Sequence, residues 1–544
     1  MSDVVTGARS AAPHPARGRA RRRAPRALVA AAALGPLAVL LPIAFTAYRA
    51  AGLGANDMSE LLFRPIVGEL LGNTLAITLA ATLACAVLGT AVAWLVERTD
   101  LPARKGWAAL AAAPLAVPPF VTSYAWVSIS LDLQDFLGAL IVLASSYFPL
   151  VYLPVAAALR GLDPALEESA RTLGCRPAQV FLRVVLPQLR PALLGGMLLV
   201  ALGVLSEFGA FALLRFRTFT TEIYAEYRVD FDGGGASLLG CALIALCLVC
   251  VALEFRVRGR ARYDATHRGT RRAAHRYALG AWRWCAVAGL AALAGATLAV
   301  PLATIGYWLT QQGAAAVTPA DVSPGLLWRA TLASTGYGLL AAVLTTALAL
   351  PLGFLSVRHP GRIATALERL AFVAQGMPGI VVALAIVSLT VRLMQPLYQS
   401  APMLIAAYAI LFLPLALVGA RAALAQAQPR LEETARALGL TWAQTAWRVL
   451  LPLAAPGLGA AATMVFISVV TELNATILLS PIGTRTLATQ VWSDTSTLAF
   501  AAAAPYAALL VALSLAAAAL LFVLLGGARA AGRRRMTFKF SAKP

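Results

Sequence analysis

Twelve stretches of this chain are each long and apolar enough to cross a lipid bilayer: 27–48, 73–96, 107–131, 137–159, 191–214, 236–255, 282–308, 331–356, 370–391, 401–424, 456–479 and 497–527. A hydrocarbon core takes about 20 residues of helix to span. No water is available there, so each stretch must close its backbone hydrogen bonds within itself. The expected fold is therefore an all-α polytopic membrane protein with about twelve transmembrane helices. Composition agrees: 60% of the 544 residues are hydrophobic and 13% charged, where a soluble chain needs roughly a quarter charged. The first stretch follows an Arg-rich tail but is too long for a signal peptide and lacks a small-x-small cleavage site, so it is read as a retained span.

The net charge of +21 is unevenly placed. On alternate connecting segments, beginning with the tail before Ala27, lie 37 of the 45 basic residues. Positive residues collect on the cytoplasmic side, so both termini are expected in the cytoplasm of a cell whose inner membrane holds the chain. This reading leaves no excess charge for nucleic acid, and Arg17 to Arg26 serve as an anchor to anionic lipid. The cysteines (Cys85, Cys175, Cys241, Cys247, Cys250, Cys285) lie mostly in or beside apolar runs and read as small packing residues. His14, His267, His275 and His359 all fall outside the spans. Neither a metal site nor a cofactor is expected.

A second regularity divides the chain. Leu166-Glu-Glu-Ser-Ala-Arg-Thr-Leu-Gly174 returns as Leu431-Glu-Glu-Thr-Ala-Arg-Ala-Leu-Gly439, 265 residues on. The same offset carries Pro149 to Pro414, Pro187 to Pro452 and Glu207 to Glu472. An internal repeat of this length marks a duplicated structural unit. Two six-span halves are expected, 27–255 and 282–528, joined by a basic linker at 256–281 and flanked by basic tails at 1–26 and 529–544. The repeated loops, 160–190 and 425–455, read as pairs of short helices. Asp163 caps the first helix with Pro164 at its first position, and Gly174 gives a left-handed exit. A second helix is expected to begin near Pro177 and stop before Pro187. In the other copy Pro429 opens, Gly439 closes, and Thr441 with Gln444 forms a capping box. Two copies of one polar loop suggest one kind of docking partner. The phosphate-binding pattern G-x-x-x-x-G-K-[ST] is missing, so the chain is not expected to hydrolyse ATP or to be an enzyme.

The duplicated loop resembles the signature of ATP-binding-cassette importer permeases, E-A-A-x-x-x-G followed nine residues later by I-x-L-P. The first copy reads Glu168-Ser-Ala170-x-x-x-Gly174, then Val184-Val-Leu186-Pro187. The second reads Glu433-Thr-Ala435-x-x-x-Gly439, then Val449-Leu-Leu451-Pro452. The resemblance extends to the openings Asn73-Thr-Leu and Ala330-Thr-Leu. It implies that each loop seats in a cleft on a separate cytoplasmic ATPase, two copies in all, and that a periplasmic solute-binding protein delivers the cargo. The fused layout, with Phe219–Tyr224, Glu472–Pro481 and Thr486-Leu-Ala-Thr, is most similar to ferric-iron permeases. Thiamine and phosphonate permeases share that layout and stay open as alternatives.

Glu207 and Glu472 stand in spans 5 and 11. A carboxylate among apolar helices normally faces the bundle interior or a water-filled cavity, so the pair is a candidate lining for the translocation path. A structural hydrogen bond or a carboxylate reaching the outer interface is the competing account. Pro114, Pro118, Pro119 and Pro378 in spans 3 and 9 suggest broken helices beside a cavity, or plain kinks. A secondary transporter driven by an ion gradient is the rival class. It too could have twelve spans in two halves, but it would place paired ionisable groups near the midplane.

Overall fold

The computed structural model describes residues 24–258, 276–311, 323–427 and 429–540. The basic tail before residue 24, the linker stretch 259–275 with His267 and His275, and residues 541–544 lie outside the described residues. Among the described residues, ten unbroken helices are long and apolar enough to cross a membrane. Two more spans are helix pairs, Arg104–Ala116 with Pro119–Ile129 and Arg362–Gly376 with Gly379–Leu393, bent by 90° and 103°. Counted as one span each, they complete the twelve. The prolines of spans 3 and 9 thus break their helices outright. Pro118 and Pro378 stand at the two bends in extended conformation, as a residue that cannot donate a backbone hydrogen bond allows.

Packing follows the logic of lipid as a solvent. Along Pro65–Arg98 the buried positions are Ile77, Ala81, Cys85 and Gly89, while Leu79, Leu83 and Val87 face outward. Large apolar side chains gain nothing by leaving lipid, so small residues that let backbones approach make the contacts. A Cβ on Gly89 would lie 2.8 Å from Tyr152 N, and one on Gly196 would lie 2.8 Å from Val151 Cα. Both glycines clamp the same turn of the Phe136–Gly161 helix. All six cysteines are free thiols. Cys247 and Cys250 have the spacing of a C-x-x-C pair along one helix.

The two halves interlock. The Arg26–Ala51 helix packs on Pro324–Arg358, Arg362–Val373 and Gly379–Leu393 of the second half, and on Gly233–Arg258. Its counterpart, Trp282–Thr310, packs on Pro119–Ile129 of the first half and on the last helix, Phe500–Phe540. Leu290 accordingly belongs to the first half's core. Each half's opening helix has crossed to the other.

Three features depart from the sequence reading. The second helix of each loop does not stop before Pro187 or Pro452. It passes through a π-turn, Phe181–Val185 or Ala446–Leu450, straight into the next span. Proline lacks a donor and crowds the carbonyl four residues back, and the wide turn places that residue where regular bonding is already interrupted. Spans 5 and 11 end early, at Ser206 and Val470, just before the two glutamates. Finally, the opening helices of the cores correspond at an offset of 260 and not 257. Thr74 Oγ1 accepts from Phe219 N, as Ser334 Oγ accepts from Leu487 N, so Asn73-Thr-Leu and Ala330-Thr-Leu lie one turn out of register.

Gly89→Leu and Gly196→Leu are each expected to destabilise the bundle by about 1–3 kcal/mol through forced backbone separation. Gly72→Leu, with nothing within 4 Å of its Cβ position, should be neutral. Thermal unfolding of the purified chain in detergent reads the difference.

Candidate functional site

Each repeated loop is built the same way. The helix Pro164–Thr172 is capped by Asp163, whose Oδ1 accepts from Ala165 N at 3.0 Å. It closes by Gly174 N–H donating to Arg171 O and Cys175 N–H donating to Ala170 O, at 2.9 and 3.1 Å. The second loop repeats this with Gly439 to Arg436 and Leu440 to Ala435, at 3.0 and 3.1 Å. Such a closure needs a left-handed residue, and Gly174 and Gly439 have φ of +84° and +85°. Thr441 and Gln444 exchange capping bonds as expected. At the tip the preceding leucines are turned out: Leu173 is 84% exposed and Leu438 76%. Glu168 and Glu433 lie on the exposed face, and Ala170 and Ala435 pack inward. Leu186-Pro187 and Leu451-Pro452 stand at the base, where each π-turn enters its span.

The residues that sequence reasoning missed are the braces beneath these loops. Arg98 Nη2 lies 2.9 Å from Glu167 Oε1, with both side chains almost wholly buried. The same nitrogen donates to Leu159 O at 3.1 Å. In the second half Arg358 Nε donates to Glu432 Oε1 at 2.8 Å, and Nη2 donates to Leu424 O and Ala427 O at 3.3 and 2.7 Å. Each brace ties the end of a long span to the first helix of a loop. A buried ion pair survives only if its geometry recovers the cost of desolvation, and a forked guanidinium suits this by reaching a carboxylate and a carbonyl together. A signal was present, since the first glutamate of each Leu-Glu-Glu run repeats and each apolar run ends in arginine. The arginines match at 260 and the glutamates at 265, which hid the pairing.

At the centre, four helix breaks meet. Glu207 ends one span and caps the short helix Gly209–Leu213, Oε1 accepting from Ala210 N at 2.9 Å. Glu472 accepts from Ala475 N at the same distance. Thr220 and Thr476 hydroxyls donate to the two glutamate carbonyls at 2.6 Å. The halves are stitched here, as Asn474 Nδ2 donates to Ser206 O at 2.7 Å. A Cβ on Gly209 would lie 2.5 Å from Leu473 Cδ2, and one on Gly379 would lie 2.9 Å from Glu472 Oε1. Phe208, Tyr224 and Trp492 close the seam with ring centroids 4.8 to 6.1 Å apart. The repeat is not symmetric, however. Tyr147 OH donates to Glu207 Oε2 at 2.8 Å, while Phe412 holds the equivalent position in the second half. Glu472 instead borders a cavity with room of about 10 Å³ for the centre of a water molecule, lined by Ser334, Tyr337, Tyr408 and Thr486. Both carboxylates therefore accept a structural hydrogen bond as helix caps. Among the described residues no three His, Cys, Asp or Glu side chains gather as a metal site.

Two interlocked helical halves, broken where they meet and each carrying one braced loop at one end, are the build of a membrane transport subunit. The chain belongs to the binding-protein-dependent transport system inner membrane component family, whose profile matches residues 102–263 and 347–534. It is 34% identical over 495 residues to the Fe(3+)-transport system permease protein FbpB 2 of Haemophilus influenzae, covering 91% of this chain and 97% of that protein. It is 24% identical to the ferric transport system permease protein FbpB of Actinobacillus pleuropneumoniae, over 74% of this chain and 63% of that one. The sulfate transport system permease protein CysT of Salmonella typhimurium is 31% identical over 30% of this chain. The chain is a transport subunit and not an enzyme.

Glu432→Gln or Arg358→Ala alone should cost about 3–5 kcal/mol, because either leaves a buried charge unpaired. The double variant should cost less than the sum of the two. A double-mutant cycle on thermal stability checks this, and additive costs would show that the brace carries no coupling.

Proposed function

We propose that this chain is the membrane permease of an ATP-driven importer that carries ferric iron. Loops 160–190 and 425–455 each receive one copy of a separate cytoplasmic ATPase through Glu168, Ala170, Gly174, Leu186 and Pro187, and through Glu433, Ala435, Gly439, Leu451 and Pro452. The observation that carries this reading is the pair of like-built loops. Each presents an exposed leucine on a glycine turn, braced by a buried ion pair to a span, so a push on the loop is passed to the helix. Both termini, with the basic segments 1–26, 256–281 and 529–544, belong to the cytoplasmic side, as the placement of 37 of 45 basic residues supports, and Arg17 to Arg26 anchor to anionic lipid. A periplasmic binding protein docks on the opposite face, over the two six-span halves 27–255 and 282–528. Membership of the binding-protein-dependent family favours this over an ion-gradient carrier. Ferric iron is supported by a relative matched along nearly its whole length, whereas the sulfate permease matches over less than a third of this chain.

Alternating access then needs no chemistry from this chain. Closure of the two ATPases draws the loops together, and the braces turn the spans about the seam. The broken helices separate and open the path past Glu207 and Glu472. Those carboxylates supply the negative charge that favours a cation in a low-dielectric passage.

The test is co-purification of an ATP-binding-cassette ATPase from membranes, followed by uptake in a deletion strain. The unaltered chain should restore uptake of labelled ferric iron and not of sulfate, thiamine or phosphonate. Gly174→Ala with Gly439→Ala, which forces alanine into a left-handed turn at about 1–2 kcal/mol per site, should reduce both ATPase retention and uptake. Restoration of another solute would overturn the iron assignment, and a chain that never retains an ATPase would overturn the importer reading. Glu207→Gln with Glu472→Gln should lower uptake while ATPase retention stays intact. Unchanged uptake would remove the two carboxylates from the path.

A further inference from the structure

The segment leaving the linker is fastened to the first loop, and the described residues show no counterpart at the second. Tyr277 N–H donates to Arg98 O at 2.8 Å, and Asp100 N–H donates to Tyr277 O at 3.2 Å. Leu279 N–H donates to Asp100 Oδ1 at 2.9 Å. This short pairing, Thr99 with Tyr277, is the isolated β-bridge among the described residues. The Tyr277 ring lies 5.4 Å from the Trp94 ring and has the Arg171 guanidinium 4.5 Å from its centroid. Trp94 meets Phe181, on the first π-turn, edge-on at 4.8 Å. Arg171 belongs to the loop's first helix, and its Nη2 is buried without a hydrogen-bond partner among the described residues. A cation over an aromatic face is attractive, more so when withdrawn from water.

What lies on either side of this contact gives it meaning. Arg98 is the brace of the first loop, and Tyr277 is held by its carbonyl. Three residues after Leu279 the Trp282–Thr310 span begins, the helix that packs on Pro119–Ile129 beside the seam. Tyr277 thus joins loop, brace and crossing helix at one point. In the second half Arg436 occupies the place of Arg171, and Phe354 that of Trp94. Phe354 has His359, from the end of its own helix, 6.2 Å away.

We propose that Tyr277 is a positioning residue that latches the first docking loop to the crossing helix, making the two docking sites mechanically unequal. A load on the first loop passes into Trp282–Thr310 and the helix break next to it. A load on the second passes through the Arg358–Glu432 brace of its own half. This rests on the docking reading proposed above, but the latch itself can be tested without an ATPase.

Spin labels at Leu182 and Trp282, 58% and 75% exposed, are placed on a full-length chain whose six cysteines are replaced by alanine. In nanodiscs the unaltered pairing should give one narrow distance distribution, retained in Tyr277→Phe and broadened in Tyr277→Ala and Arg171→Ala. In the complex with its co-purified ATPase, Tyr277→Ala and Arg171→Ala should raise the rate of unproductive ATP hydrolysis at least about threefold, with ATPase retention unchanged. Arg436→Ala should raise that rate by less. Should Tyr277→Ala fail to fold, Arg171→Ala carries the same expectation, as it leaves the Tyr277 ring and its contact with Trp94 in place. The proposal is overturned if the alanine variants keep the narrow distribution, or if Arg436→Ala raises hydrolysis as much as Arg171→Ala does. An unaltered chain that retains no ATPase overturns the docking reading instead, and the distance distribution still decides the latch.

Discussion

Inside a bilayer an interrupted helix exposes backbone groups that water cannot satisfy, so every break has to be repaired by the protein itself. The centre of this molecule is organised by that requirement. Four spans stop or bend where the halves meet. The repairs are made by side chains of the breaks themselves: two glutamates capping the short helices after them, two threonines returning to the glutamate carbonyls, and Asn474 reaching Ser206 across the seam. Removing one of these groups would leave a buried donor or acceptor unmet, which costs about 1–3 kcal/mol. Each break is therefore satisfied by the protein and not by water in this arrangement.

The loops follow a different economy. They lie where the chain is polar, and their shape rests on left-handed glycines and capping side chains more than on burial. What keeps them from acting as loose appendages is the arginine at the end of each long span. The first brace leaves Arg98 Nε and Nη1 and both carboxylate oxygens of Glu167 without hydrogen-bond partners among the described residues, whereas Arg358 reaches two carbonyls besides its glutamate. The first loop has the linker segment as additional support. The halves thus arrive at comparable braced loops by unequal means.

How much of this was legible in the sequence varies with the kind of signal. Span number, the loop pair, the Asp163 cap and the Gly174 and Gly439 turns were readable, because each depends on local periodicity or on a residue with one strong conformational preference. The π-turns were not, since a proline within a helical pattern usually signals an ending and only three-dimensional context shows a widened turn instead. The glutamates were recognised as special for their charge. What their carboxylates meet lies far away in sequence, Tyr147 for one and the wall of Tyr337 and Tyr408 for the other. The Arg98 and Arg358 braces escaped because the repeat changes offset between spans, and a single register cannot align both partners.

The crossing of the opening helices has a consequence for how the chain is made. The Arg26–Ala51 helix leaves the ribosome well before the Pro324–Arg358 helix that packs on it, which is synthesised roughly 270 residues later. At about 5–20 residues per second, it waits tens of seconds with lipid, or the Gly233–Arg258 helix, as its neighbour. Its length and uninterrupted apolarity suit that wait, since it must be at home in the bilayer before it is at home in the protein. Assembly of the whole is then closed late, when the second half arrives to take up a helix already standing in the membrane.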